Sequence, residues 1–165
     1  MVRQAQRDAM YDLPGVYTLP RLDVAMYDFI HNAASGNLVI GERAARCALS
    51  ELYGRPREWR APEAIRAVRR APDTVELFFA RVYNWLNCYE LPAARLPFDA
   101  EDAAGLAPVK DYTVRRDSLL LTFVRPLGEG AVLHGAWRAN PGEQVAWDCM
   151  RLPMLAFYGL AIRDS

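Results

Sequence analysis

The hydrophobic period of this chain changes once along its length, and that change most limits the folds open to it. As far as residue 89, apolar side chains recur at three and four, as on a helix face; from residue 112 they recur at two, as on a strand. In the second region, Tyr112–Arg116 and Ser118–Arg125 read as strands joined at Arg116-Asp117. Leu119, Leu121 and Phe123 fall on one side, and Leu120, Thr122 and Val124 on the other. Gly128-Glu129-Gly130 marks the next turn. Leu133, Gly135 and Trp137 then alternate up to Asn140-Pro141-Gly142, with Val145 and Trp147 beyond it, which reads as a hairpin. The apolar tail, Met154–Ile162, fits a further strand or a packed helix end.

The first region reads as helical. Met26, Phe29, Ile30 and Ala33 form one stripe within Leu22–Tyr53, and Ile40, Ala44, Ala48 and Leu52 continue it. Gly36 and Gly41 interrupt that stripe, and Gly54 with Pro56 stops it. Ala61-Pro62-Glu63 opens a short helix that ends before Pro72. Asp73, with Glu76 three residues on, caps a helix whose face is Val75, Phe78, Phe79, Val82, Trp85, Leu86 and Tyr89. Residues 91–108, broken by Pro92, Pro97, Gly105 and Pro108, read as loop, and residues 1–21 as an irregular arm. This order predicts an α+β fold, a single domain over residues 22–165 with N-terminal helices packed on a four-stranded antiparallel meander sheet.

At 165 residues, 52% hydrophobic and 24% charged, the chain can bury a core without metal or disulfide staples. Twenty basic residues balance twenty acidic ones. That balance supplies no global field toward nucleic acid. No apolar run approaches the roughly 20 residues of a membrane span. The cysteines, Cys47, Cys88 and Cys149, form no CxxC pair. Three buried free thiols fit this spacing, and so does a single Cys88–Cys149 bridge in an oxidising compartment.

The ordered pattern resembles the globular head of type IV pilins. Ala33–Gly54, "AASGNLVIGERAARCALSELYG", is similar to that family's Ala-rich helix. Val109–Val114 stands where it has its first strand, and Asp117–Phe123, "DSLLLTF", where it has its second. Leu133 and Gly135, the proline six residues later, and Trp147-x-Cys149 complete the likeness. The family's N-terminal hydrophobic helix has no counterpart, and no cysteine follows Cys149. The resemblance implies a non-enzymatic structural or accessory domain of a pilus or secretion system, acting by contacts with other proteins. It implies a cytoplasmic location for a complete chain, and a periplasmic or extracellular one for the head of a longer pilin. The alternative is a cytoplasmic protein-interaction module of unrelated origin.

Residues that could carry chemistry are few. His31 and His134 are the only histidines, and no ligand spacing, phosphate loop or nucleophile motif accompanies them, so no metal, cofactor or catalytic residue is expected. Asp99, Glu101 and Asp102 read as a solvated loop. Arg55, Arg57, Arg60, Arg66, Arg69 and Arg70, interleaved with Trp59 and opposed locally by Glu58 and Glu63, form the one charge cluster. Such a cluster can grip phosphate or an acidic protein surface, or be a solvated helix face. Trp85, Cys88, Trp147 and Cys149 are expected to be structural, with Trp147 in the core between sheet and helix and Trp137 on the neighbouring strand.

Overall fold

A computed structural model describes residues 2–28, 30–88, 92–139 and 146–164. Seven strands close into a barrel. They are β1 (Glu63–Ala71), β2 (Thr74–Ala80), β3 (Phe98–Asp102), β4 (Gly105–Val114), β5 (Ser118–Phe123), β6 (Val132–Gly135) and β7 (Phe157–Arg163). Their order around the barrel is β1-β2-β5-β4-β3-β6-β7. Every pairing is antiparallel except the closing one, where Ala67 and Val68 of β1 run parallel to Ile162 and Arg163 of β7. The helices are α1 (Val2–Asp12) and α2 (Ala34–Glu51), with one short 3-10 turn at Ala93–Arg95.

Period-two alternation fills the interior. Val75, Leu77 and Phe79 of β2 point inward with Leu119, Leu121 and Phe123 of β5, Phe98 and Ala100 of β3, and Leu133 of β6. Each large apolar side chain buried this way stabilises the fold by about 1.5–3 kcal/mol relative to exposure. A small closed barrel is a packed core, not a pore.

The α+β expectation is overturned, and the reason lies in β1. Ala64 pairs with Phe79 but Arg66 with Phe78, so Ile65 is an extra, outward residue. A second shift between Arg69 and Ala71 makes Arg70 another. Two bulges in nine residues leave Ala64, Ala67 and Val68 as buried positions, three and four apart like the stripe of a helix. Pro72-Asp73 is therefore a hairpin turn, not a helix stop and cap. In β2 both faces are covered, Val75, Leu77 and Phe79 by the core and Glu76 and Phe78 by arginines, which counterfeits a helical stripe. The chain leaves β2 at Ala80, so Val82 and Trp85 lie in loop, and Tyr89 is outside the described residues.

Residues 91–108 hold β3 and the start of β4 instead of a loop. Gly105 opens β4 at φ 93°, a conformation its lack of a Cβ permits. The strand expected over 118–125 forms as β5, and the tail forms β7. The expected hairpin around Asn140-Pro141-Gly142 has its turn outside the described residues. Beyond it, Trp147 makes only isolated bridges, to Asn87 and Pro153. Asp148 then accepts hydrogen bonds from the backbone N–H of Met150 (2.9 Å) and Leu152 (3.1 Å), which turns the chain and ends the Trp-x-Cys alternation.

The expected arm at 1–21 contains α1, which buries no residue. It is fixed by a polar face at four-residue spacing. Arg3 donates to the carbonyls of Ala136 (3.3 Å), Arg138 (2.6 Å) and Ala139 (3.1 Å), Arg7 to Glu63 Oε1 (2.8 Å) and Ala64 O (2.7 Å), and the Tyr11 hydroxyl to Glu63. The helix expected from Leu22 starts only at Ala34. Its anchor is also polar: buried Arg43 donates to both carboxylate oxygens of Asp23 (2.7 and 2.6 Å) and to the carbonyls of Pro20 and Arg151.

Two glycine substitutions separate packing from propensity. A Cβ on Gly135 would lie 2.2 Å from Phe157 Cε1, inside a ring that is itself buried. Gly135→Ala is expected to cost about 1–3 kcal/mol in a urea melt, through overpacking. Gly41, in α2 with open space around its Cα, is expected to gain about 0.5–1 kcal/mol as alanine.

Candidate functional site

A cleft of about 1110 Å³ lies where α1 and residues 18–28 meet the segment after β6 and the start of β7. One wall is aromatic. Leu133 of β6 points into the core, so His134 points out, fully buried under its neighbours. Its ring stacks on Tyr158 with centroids 4.2 Å apart and planes 17° apart, and Trp137 sits 5.3 Å from His134 and 5.5 Å from Tyr158. Trp137 and Tyr158 line the cleft, with His134 behind them.

This wall is held rigidly. The Gly159 N–H donates to His134 Nδ1 (3.0 Å), which makes Nδ1 the acceptor, so Nε2 carries the proton and donates to Glu101 Oε2 (2.9 Å). Trp137 Nε1 donates to Asp99 Oδ2 (3.1 Å), and Arg138 reaches the same carboxylate through Nε (3.1 Å) and Nη2 (3.0 Å). The acidic trio read as a solvated loop therefore sits on β3, and each member has a fixed basic partner. Arg125 forks onto Asp102 with two bonds of 2.7 Å, and the Gly128 N–H adds a third. These bonds, the fork from Arg125 first, hold the Asp102 carboxyl well below the usual range.

Arg3, Gln4, Gln6, Arg7, Thr18 and Arg21 bring polar groups to the lining, among the apolar Leu19, Leu22, Val24 and Met26. Gln4 Oε1 accepts from the Tyr158 N–H (2.9 Å), and Thr18 Oγ1 donates to Gln6 O (2.8 Å), which ties the arm to the helix. An aromatic face together with donors and acceptors in one cleft suits a ligand that is apolar on its broad side and polar at its rim. Among the described residues the site contains no nucleophile–base pair. Both His134 nitrogens are engaged, and His31 lies on the surface against Asp28. Among the described residues no group of three or more His, Cys, Asp or Glu is placed to hold a metal ion.

The arginine cluster disperses once β1 is a strand. Arg55 and Arg57 stay exposed in the connection after α2. Trp59 is buried, donates to Glu51 Oε1 (2.9 Å), meets Tyr17 edge-on and carries Arg60 over its ring, so it is not presented as a gripping surface. Arg66 lies over the Phe78 ring, 4.2 Å from its centroid, and Arg70 donates to Glu76 (2.8 Å). Arg69 turns instead to Asp164 and to the carbonyls of Leu127 and Gly128.

Glu76 is buried on the barrel's outside. Burial opposes its ionisation, but hydrogen bonds from Arg70, Ser118 and Arg115 outweigh that and leave its pKa lowered. Trp85 is 56% exposed and takes no part in a core stripe, while Trp147 packs half-buried against the core. The cleft residues Arg3, Arg21 and Tyr158 carry no signal in the sequence. Trp137 and His134 could be placed on opposite faces of one strand, but not at a site.

No protein-family model matches the sequence, and no curated protein is a detectable relative. Among solved structures, the chain is similar to part of a carbohydrate acetylesterase from Xanthomonas citri, with a TM-score of 0.72 at 19% identity over 92% of this chain. The match takes in 34% of that structure, so the chain spans about a third of its length. At this identity the likeness is one of fold. The N-terminal part of the bacterial S-layer protein SbsC aligns with a TM-score of 0.44 at 10% identity over 82% of this chain and 29% of that one, too loosely to bear on the argument. The pilin resemblance is thus overturned: the closed barrel is not a pilin head, and its fold recurs within an esterase. The expectation of a non-enzymatic pilus component is overturned with it, and its alternative, an interaction module of unrelated origin, gains no support.

All three cysteines are free. Burial pushes the Cys88 thiol up to about 12, and burial also raises Cys47. Cys149 is only partly covered and reaches no more than the Trp85 carbonyl, 3.8 Å away. A maleimide added to the native protein at neutral pH is expected to label Cys149 alone, and all three after denaturation. Rapid native labelling of Cys88 would show that the barrel end opens.

Proposed function

We propose that this chain is the barrel unit of a protein acting on acetylated carbohydrate, and that the cleft under α1 holds a sugar residue. The observation that carries the reading is the braced Trp137–Tyr158 wall in a cleft that Gln4, Gln6 and Thr18 also line. A pyranose has C–H faces that pack on aromatic rings and a rim of hydroxyls that exchange hydrogen bonds with amides and hydroxyls. The Xanthomonas neighbour acts on carbohydrate, and its similar fold supports the same ligand class here.

The chain's own part in such a reaction is positioning. A ring held between a fixed aromatic wall and hydrogen-bonding side chains presents its ester in one orientation, which is where much of an enzyme's advantage originates. Cleavage of the ester needs an activated nucleophile. Both His134 nitrogens are engaged, so His134 as placed is not the base that activates one.

Titration with a panel of acetylated xylo- and chito-oligosaccharides, followed by amide and indole NMR shifts, tests the reading. Shifts are expected at the Trp137 indole and along α1, and not at the exposed Trp85. Trp137→Ala, shown folded by its melting curve, should weaken binding about tenfold or more, equivalent to about 1.4 kcal/mol. Shifts at Trp85 instead, or none with any saccharide, would refute it.

A further inference from the structure

The charges lining the cleft are unequally matched. Arg7 is met by Glu63 at 2.8 Å, and Asp28 by His31 at 2.7 Å and by the N–H groups of Ile30 and His31. Arg3 and Arg21, on the same cleft, meet no carboxylate among the described residues. The three carbonyls that Arg3 reaches satisfy its hydrogens without cancelling its charge, and the one partner of Arg21 is the Met26 sulfur at 3.6 Å. Elsewhere Arg43, Arg69, Arg70, Arg115, Arg125 and Arg138 each reach a carboxylate, while arginines such as Arg66 and Arg116 settle on a ring or a carbonyl instead. Burial, and then the nearby charge of Arg21, lower the Arg3 pKa.

Arg3 and Arg21, which meet no carboxylate among the described residues, outnumber the lining carboxylate of Asp28, and this positive excess beside an aromatic wall favours a ligand that brings an anion. A carboxylate fits the planar guanidinium fork better than a point charge does. We propose that the saccharide bound in this cleft is an acidic one: a hexuronate whose ring packs on Trp137 and Tyr158 and whose carboxylate is taken by Arg21, with Arg3 contributing its field. The inference rests on the sugar-binding reading above and adds the charge of the ligand to it. Arg21 is exposed, so its donors are free to swing onto the carboxylate, whereas Arg3 is committed to the chain behind it.

Calorimetric titration with matched pairs tests it: trigalacturonate against its methyl ester, and a glucuronate-bearing xylo-oligosaccharide against its methyl ester. In at least one pair the acid should bind about tenfold tighter than the ester at low salt, with the preference shrinking as salt rises. Arg21→Gln should remove the preference of acid over ester. Equal affinity for acid and ester in both pairs overturns the acidic ligand and leaves the sugar site standing. Inorganic sulfate displacing the acid at the same affinity overturns it too, since the cleft would then hold any anion. A preference that survives in Arg21→Gln removes Arg21 from the role. Failure of every saccharide, charged or esterified, overturns both readings.

Discussion

Closure of the barrel depends on a two-residue parallel ladder between β1 and β7, the strands farthest apart in sequence. Without it the sheet would present two open edges, each a row of unpaired backbone groups. With it, inward side chains from all parts of the chain meet in one core, and the face of β6 and β7 carrying His134 and Tyr158 comes beside the N-terminal helix. The bulges of β1 belong to the same requirement, because an extra residue bends a strand and raises its twist. A seven-stranded sheet needs such bends to turn back on itself.

The strands with one wet face and one buried face are legible in the sequence, and those that depart from alternation are not. Ser118–Phe123 alternates cleanly and is a strand; Glu63–Ala71 imitates a helix because Ile65 and Arg70 each add a residue to it. In β2 the outer residues Glu76 and Phe78 are covered by arginines, so apolarity stops tracking direction. The first helix escapes notice because its contact face is Arg3, Arg7 and Tyr11, a four-residue period visible only when polar residues are counted as contacts. The candidate site is less legible than the fold. It joins residues 2–28 to 137–158, a meeting that only barrel closure brings about.

Arginine does here much of what apolar packing does in other small proteins. Arg43 secures α2 through Asp23, Arg125 pins Asp102 and so the turn from β3 to β4, and Arg69 draws the 127–128 segment onto β1. Forked, charge-assisted bonds of this kind fix direction as well as distance. They also explain why a chain with balanced charge shows no single basic face: most guanidinium groups point at a carboxylate or a carbonyl of the chain itself.

The footing of α1 on Glu63 has a consequence for the rest of the molecule. This carboxylate is 3% exposed and receives Arg7 and Tyr11 from the helix and Arg81 from the barrel side. Were the helix to lift away, it would uncover no fully buried side chain of its own. It would instead strand an anion in the barrel rim with one cation left beside it, and an under-neutralised interior charge is strongly destabilising. The grip on the helix is therefore set by the acid it would abandon, so a segment that looks peripheral is bound to the rim by an electrostatic debt.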